Sequence, residues 1–130
     1  MDYDKIIADV KRQEEMLRFD HFSNDDAWEL GNVLAEKSIK EGTQIAVMIK
    51  KLNGNVIFAR FSDGTYLDNE NWMRRKFNMV LYHEQSSFLQ WAFASRKGNT
   101  LERMGLDEKD YALCGGGFPI RLKSGELVAV

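Results

Sequence analysis

The sequence predicts one α+β domain over residues 1–130, an antiparallel β-sheet flanked by helices. Three observations carry this. Two apolar, branched runs meet across Asn53-Gly54, helical periodicity recurs before and after them, and a second strand pair surrounds Ser124-Gly125. Helices, a hairpin, more helices and a second hairpin describe helices covering an antiparallel sheet.

Ile6, Val10 and Leu17, widened by Ile7 and Met16, recur at helical spacing and predict a first helix over residues 4–18. Ser23 with Asp26 three residues on is a capping-box pair, and a second helix should run from there to about Glu41. Ala27, Leu30 and Leu34 line one face of it, and Gly42 stands where a left-handed closing residue is common. QIAVMIK at 44–50 and NVIFARF at 55–61 then form a hairpin. A third helical pattern runs from Asn69, with Asp68 as cap, and divides near 83–87, because Ser86-Ser87 can start FLQWAFASRKG as a new helix ending at Gly98. A short helix is expected at Asp107–Ala112, then strands at 117–122 and 126–130. The last strand pattern, ELVAV, stops at Val130, so it is expected either to be a sheet edge or to continue in the natural protein.

Composition narrows the function classes. Eighteen basic residues against 20 acidic ones give a net charge of -2, so the chain has no overall cationic excess with which to neutralise a nucleic-acid backbone. No apolar run approaches the roughly 20 residues of a membrane helix. The N-terminus has no signal-peptide core, and the single cysteine cannot form an internal disulfide. These features predict a cytoplasmic protein that binds neither nucleic acid nor membrane.

The chemistry concentrates in two places. On the helix beginning near Asn69, Trp72, Lys76, Met79 and His83 share a face bordered by Arg75, while Met73, Phe77, Val80 and Leu81 form the core stripe. A cation, an aromatic ring and an imidazole there suit a flat anionic ligand. The second place is CGGGFPI at 114–120. Gly115, Gly116 and Gly117 permit close approach of backbone or ligand, whereas Pro119 forces Phe118 into extended backbone.

Each of these residues also has a purely structural reading. Arg74 to Lys76 can be solvated or ion-paired surface, His83 a hydrogen-bonding or capping group, His21 local structure before a helix, and Cys114 a small buried side chain. With no HxH, HExxH or CxxC spacing, no dedicated metal site is expected. The glycines lack the lysine and the strand-loop-helix context of a phosphate loop.

FDHFSNDDAWELG at 19–31, WMRRK at 72–76 and GGGFPIRLKSGELVAV at 115–130 resemble the GlcG/HbpS-like family, also called the haem-degrading-domain family, and within it the small uncharacterised cytosolic members. The resemblance implies a profilin-like fold, self-association into homodimers or larger rings, and haem as a candidate ligand. It also implies that relatives continue past the equivalent of ELVAV through a VSGL-like strand into a final helix. No family ligand motif maps onto His83. Three readings follow: a domain that binds haem or another anionic small molecule, a non-catalytic homo-oligomeric scaffold, and a haem-degrading enzyme.

Overall fold

The computed structural model describes residues 1–130. Helix α1 (Tyr3–Met16) starts where the Asp2 carboxylate accepts the Lys5 amide, and it ends before Leu17, which is exposed past the helix end. Its buried stripe is therefore Ile7, Val10 and Glu14, not a line running through Leu17. A two-residue strand, β1 (Arg18–Phe19), follows. Two residues show no periodicity, so nothing in the pattern announced it.

Helix α2 (Asn24–Glu41) opens on the expected capping box: the Ser23 hydroxyl accepts the Asp26 amide at 3.1 Å, and the Asp26 carboxylate accepts the Ser23 amide at 2.7 Å. Gly42 closes it in the left-handed conformation, φ +68°. Of the expected stripe, Ala27 is in the core and Leu30 packs against it, but Leu34 does not follow. Ala27, Gly31, Ala35 and Ser38 turn inward, while Leu34 is 41% exposed. Small residues win because the helix lies close on the sheet: a Cβ at Gly31 would stand 2.3 Å from the Phe58 ring.

Strands β2 (Ala46–Lys50) and β3 (Val56–Phe61) form the predicted antiparallel hairpin, closed by a turn in which Gly54 has φ +90°. Helix α3 (Leu67–His83) begins two residues earlier than expected. Tyr66 is its cap and the Asn69 side chain accepts the Tyr66 amide at 2.9 Å, so Asp68 lies inside the first turn. The expected break follows at Glu84, and α4 (Ser87–Lys97) starts at Ser86, whose hydroxyl accepts the Leu89 amide.

Asp107–Ala112 is a single turn, not a helix. One turn cannot offset its own nucleation cost, and tertiary contacts hold the segment instead: Arg74 binds Asp110 at 3.0 Å and the Lys109 carbonyl at 2.7 Å, and Asn78 binds the Asp110 carbonyl. Strands β4 (Ile120–Leu122) and β5 (Leu127–Ala129) flank the Ser124-Gly125 turn but are shorter than predicted.

The sheet corrects two expectations. β1 runs parallel to β4, so it is mixed rather than wholly antiparallel. β5 is not an edge: it pairs with β4 on one side, and on the other the Lys51–Ala129 bridge and reciprocal 2.9 Å bonds between Lys50 and Val130 join it to β2. The strands thus form a three-stranded sheet, β1-β4-β5, and a two-stranded one, β2-β3, joined between β5 and β2 by the Lys51–Ala129 bridge and the Lys50–Val130 bonds. Ala27, Val47, Ile49, Phe58, Ile120 and Ala129 form the core between α2 and the sheet, and Ile7, Val10, Leu89 and Ala92 form a second cluster between α1 and α4.

Candidate functional site

The CGGGFPI segment is held by the start of α4. The Ser87 amide donates to the Gly117 carbonyl at 3.0 Å, and the Gly117 amide donates to the Ser87 hydroxyl at 2.9 Å. This reciprocal pair presses the chain against α3. A Cβ on Gly117 would lie 2.9 Å from Val80 Cγ2 and 3.1 Å from the Lys76 carbonyl. At Gly116, where φ is +131°, a Cβ would lie 2.8 Å from Lys76 Nζ. The glycines therefore have a packing role, and Gly116 in addition brings bare backbone against a cation.

Lys76 stands at the side of a groove of about 730 Å³ running along β2, between α3 on one side and Gly116–Ile120 on the other. Its walls are largely apolar, with Leu34, Met48, Met73, Phe77 and Phe118 among them. The side chains with polar termini are Gln13, Lys50 and Lys76. Lys50 Nζ lies 4.8 Å from the Phe77 ring centroid, and neither lysine takes part in an ion pair. Two ammonium groups without carboxylate partners, beside an apolar trough, can receive an anion attached to an apolar body.

The eight residues singled out in the sequence do not converge. Lys76, Gly116 and Gly117 meet at the groove. Trp72 and Arg75 pair with each other, the guanidinium 4.2 Å from the indole centroid, and are not among the groove's walls. Met79 is fully buried. The face assigned to it by helical spacing is a core face because α3 is covered on more than one side. Gly115 packs under Phe88.

His83 sits in the last turn of α3 against Tyr82, away from the groove. Burial lowers its pKa, which favours the neutral ring. The Met79 carbonyl one turn back partly offsets this, although Nδ1 has no partner in ordinary hydrogen-bond geometry. His21 binds Asp26 at 2.9 Å beside the α2 cap, a local role. Cys114 is half-buried and belongs to no cluster of metal-ligating side chains.

Two contributors escaped the sequence reading. Lys50 shares a strand face with Ala46 and Met48, so alternation within QIAVMIK was an available signal. Ser87 ties down Gly117 from 30 residues away, and no local pattern announces that contact. A smaller hollow of about 330 Å³ beside Phe93, Arg96 and Met104 gathers none of the candidate residues.

Known proteins share this sequence and architecture. A UPF0303 protein of Rhizobium etli is 40% identical over 123 residues, covering 95% of this chain and 74% of the relative. One from Zymomonas mobilis is 36% identical over 126 residues, covering 96% and 67%. The crystal structure of Ybr137w protein superposes with a TM-score of 0.85 at 26% identity, covering 95% of this chain and 73% of that one. The crystal structure of HbpS superposes at 0.64 and 19% identity, covering 84% and 73%, a likeness of fold. Residues 22–130 match the family described as "Haem degrading protein HbpS-like", and the chain belongs to this HbpS-like family.

Proposed function

We propose that this protein binds an anionic small molecule with an apolar body in the groove beside β2. The observation that carries the reading is the Lys76 ammonium: unpaired, set against the Gly116 backbone, and opening onto an apolar volume of about 730 Å³. Small-molecule sites commonly span about 300–1,000 Å³ and combine apolar walls with a few convergent polar groups. Lys50 supplies a second cation, and Met48, Phe77 and Phe118 supply the apolar surface. With this reading we carry the family's expectations of a cytoplasmic, self-associating protein of profilin-like fold.

Haem is the candidate that the family description supplies, and the groove suits one part of it. Lys50 and Lys76 match propionate carboxylates, and the walls match the macrocycle. The iron is matched less well. No histidine, cysteine or tyrosine lines the groove, which leaves only the Met48 and Met73 thioethers as donors. This favours recognition of an amphipathic anion over chemistry at the metal, and no degradative step is assigned.

The test is a visible-spectrum titration with haem and, in parallel, metal-free protoporphyrin. Both should saturate at fixed stoichiometry with similar affinity. A charge-assisted contact contributes about 1.5 kcal/mol, so Lys76→Ala should weaken each roughly tenfold, whereas His83→Ala should not. Absence of saturation, or indifference to Lys76, would count against the site.

The scaffold reading draws on a different observation, the exposure of Trp28 (64%), Tyr66 (74%) and Leu67 (80%). It requires a stable oligomer by light scattering that persists at nanomolar concentration and buries these side chains.

A further inference from the structure

At the C-terminal end of α4, at the opposite end of that helix from Ser86, lies the hollow of about 330 Å³. Phe93 and Met104 supply its apolar wall, Gln90 and Asn99 bring carboxamides to it, and Arg96 and Lys97 bring charge. None of these residues lines the groove beside β2.

Gln90 is the residue that packing leaves unexplained. It is only 5% exposed, on a helix face where Ser87 and Ala94, three and four positions away, are buried too. An apolar side chain in that place would be buried without the cost of desolvating an amide. Gln90 Nε2 donates to Gln85 Oε1 at 2.6 Å, whereas Gln90 Oε1 accepts nothing. The side-chain polar atoms that are both sealed from solvent and unpartnered are Arg75 Nε and His83 Nδ1. The Gln90 oxygen therefore keeps access to open space, and the hollow is the space Gln90 borders. A buried carboxamide with a free acceptor calls for a donor from outside.

Around that acceptor the charge is positive. Arg96 gives Nη1 to Asp4 at 2.7 Å and keeps its other donors, while Lys97 takes part in no ion pair. Lys11 has no carboxylate either, and its Nζ lies 5.4 Å from the Phe93 ring centroid. Asn99 Oδ1 accepts the Thr100 amide at 2.9 Å, which leaves Nδ2 as a further donor. Cations in a last turn complement the helix dipole, and that role accounts for Arg96 and Lys97 taken alone. It needs neither a hollow nor a buried carboxamide.

We propose that this hollow is a second small-molecule site, for a single-ring compound with an O–H or N–H donor at one end and an anionic group at the other. The donor meets Gln90 Oε1, the ring lies against Phe93 and Met104, and the anion meets Lys97 and the free nitrogens of Arg96. Aromatic rings pack favourably on thioethers as well as on other rings. The volume stands at the lower end of the range of about 300–1,000 Å³ common for ligand sites, which suits one ring and not a macrocycle. This inference goes beyond the reading given to the groove and rests on different residues.

The test is an NMR titration of the isotope-labelled protein with para-hydroxyphenylacetate, phenylacetate and para-hydroxybenzyl alcohol, which carry both groups, the anion alone and the donor alone. The first should saturate with a Kd of about 1 mM, shifting the Gln90 and Asn99 side-chain amides. It should bind about fivefold tighter than either of the others, the factor that one net hydrogen bond ordinarily gives. Gln90→Leu, which keeps the helix face filled, should abolish the advantage over phenylacetate. Lys97→Ala should reduce the advantage over the alcohol, and because Lys97 is exposed and unpaired this variant answers even if Gln90→Leu does not fold. No saturation up to about 10 mM, or equal binding of all three compounds, would overturn the site. Shifts confined to β2 and α3 would put the compound in the groove and overturn it equally. Lys76→Ala should leave this titration unchanged and Lys97→Ala should leave the porphyrin titration unchanged, so either site can fail without the other.

Discussion

The α1–α4 contact and the β2 edge handle their polar groups in opposite ways. On the first side, the Glu14 carboxylate, on a residue only 9% exposed, accepts from the Ser86 amide at 2.9 Å and from its hydroxyl at 3.2 Å, while that hydroxyl also caps α4. Ser87 and Gly117 close the neighbouring pair. On the second side, Lys50 and Lys76 have no carboxylate, and the backbone of Ala46 and Met48 faces a trough. Satisfied buried groups hold a fold together, whereas unsatisfied groups beside apolar surface mark where something else is recognised. The contrast makes the first region structural and the second the place to look for function.

The largest effect should come from emptying the closed side. Leu89 is 1% exposed between α1 and α4, and Leu89→Ala should lower unfolding free energy by about 2–5 kcal/mol in urea titration. Next is Gly117→Ala. Its Cβ would stand 2.9 Å from Val80 and 3.1 Å from a backbone carbonyl, which cannot swing aside. Overpacking of this kind costs about 1–3 kcal/mol, to be read as a lowered denaturation midpoint.

A smaller effect, separable by pH, belongs to Glu14. Burial raises its carboxyl pKa, against the opposing pull of the Ser86 hydrogen bonds and of Arg121. Folding therefore favours the protonated form. That stabilisation is complete below the unfolded value of about 4.3 and is lost as pH rises through the raised folded value. Glu14→Gln should remove this loss, so the stability of the variant relative to the parent should climb across that window and then level off. Asp20 and Asp26, whose pKa values are lowered by Lys123 and Ser23, act in the opposite direction. They are common to both proteins and cancel in the difference. A flat difference curve would show that Glu14 is not held as described.

The smallest stability effect should be Lys76→Ala, within about 0.5 kcal/mol, because its ammonium has no partner to lose. If that variant were destabilised as much as Gly117→Ala, the division into a closed and an open side would fail.

Much of the fold was legible locally. Ser23 and Asp26 lie within one turn, Asn53-Gly54 joins two strand runs, and Ser86-Ser87 interrupts a helical pattern. Each feature acts over a few residues and competes with nothing distant. The candidate site was less legible. Helical spacing put Trp72, Lys76, Met79 and His83 on one face, but it could not say how many sides of α3 would be covered, and the fold buries Met79. For CGGGFPI, a need for close approach was readable, whereas the neighbours being approached, Lys76, Val80 and Ser87, come from α3 and α4.

Residue chemistry along the chain thus settled the four long helices, the first hairpin, the Ser23 and Ser86 caps and the absence of a membrane-length apolar helix. Strand order, the parallel β1–β4 pair, the interior position of β5 and the meeting of Lys76 with Gly116 emerged only in the folded chain. The physical reason is range. Caps, turns and periodicity are set by atoms a few residues apart, whereas pairing Arg18 with Arg121 or Lys50 with Val130 is decided by burial shared across the whole domain.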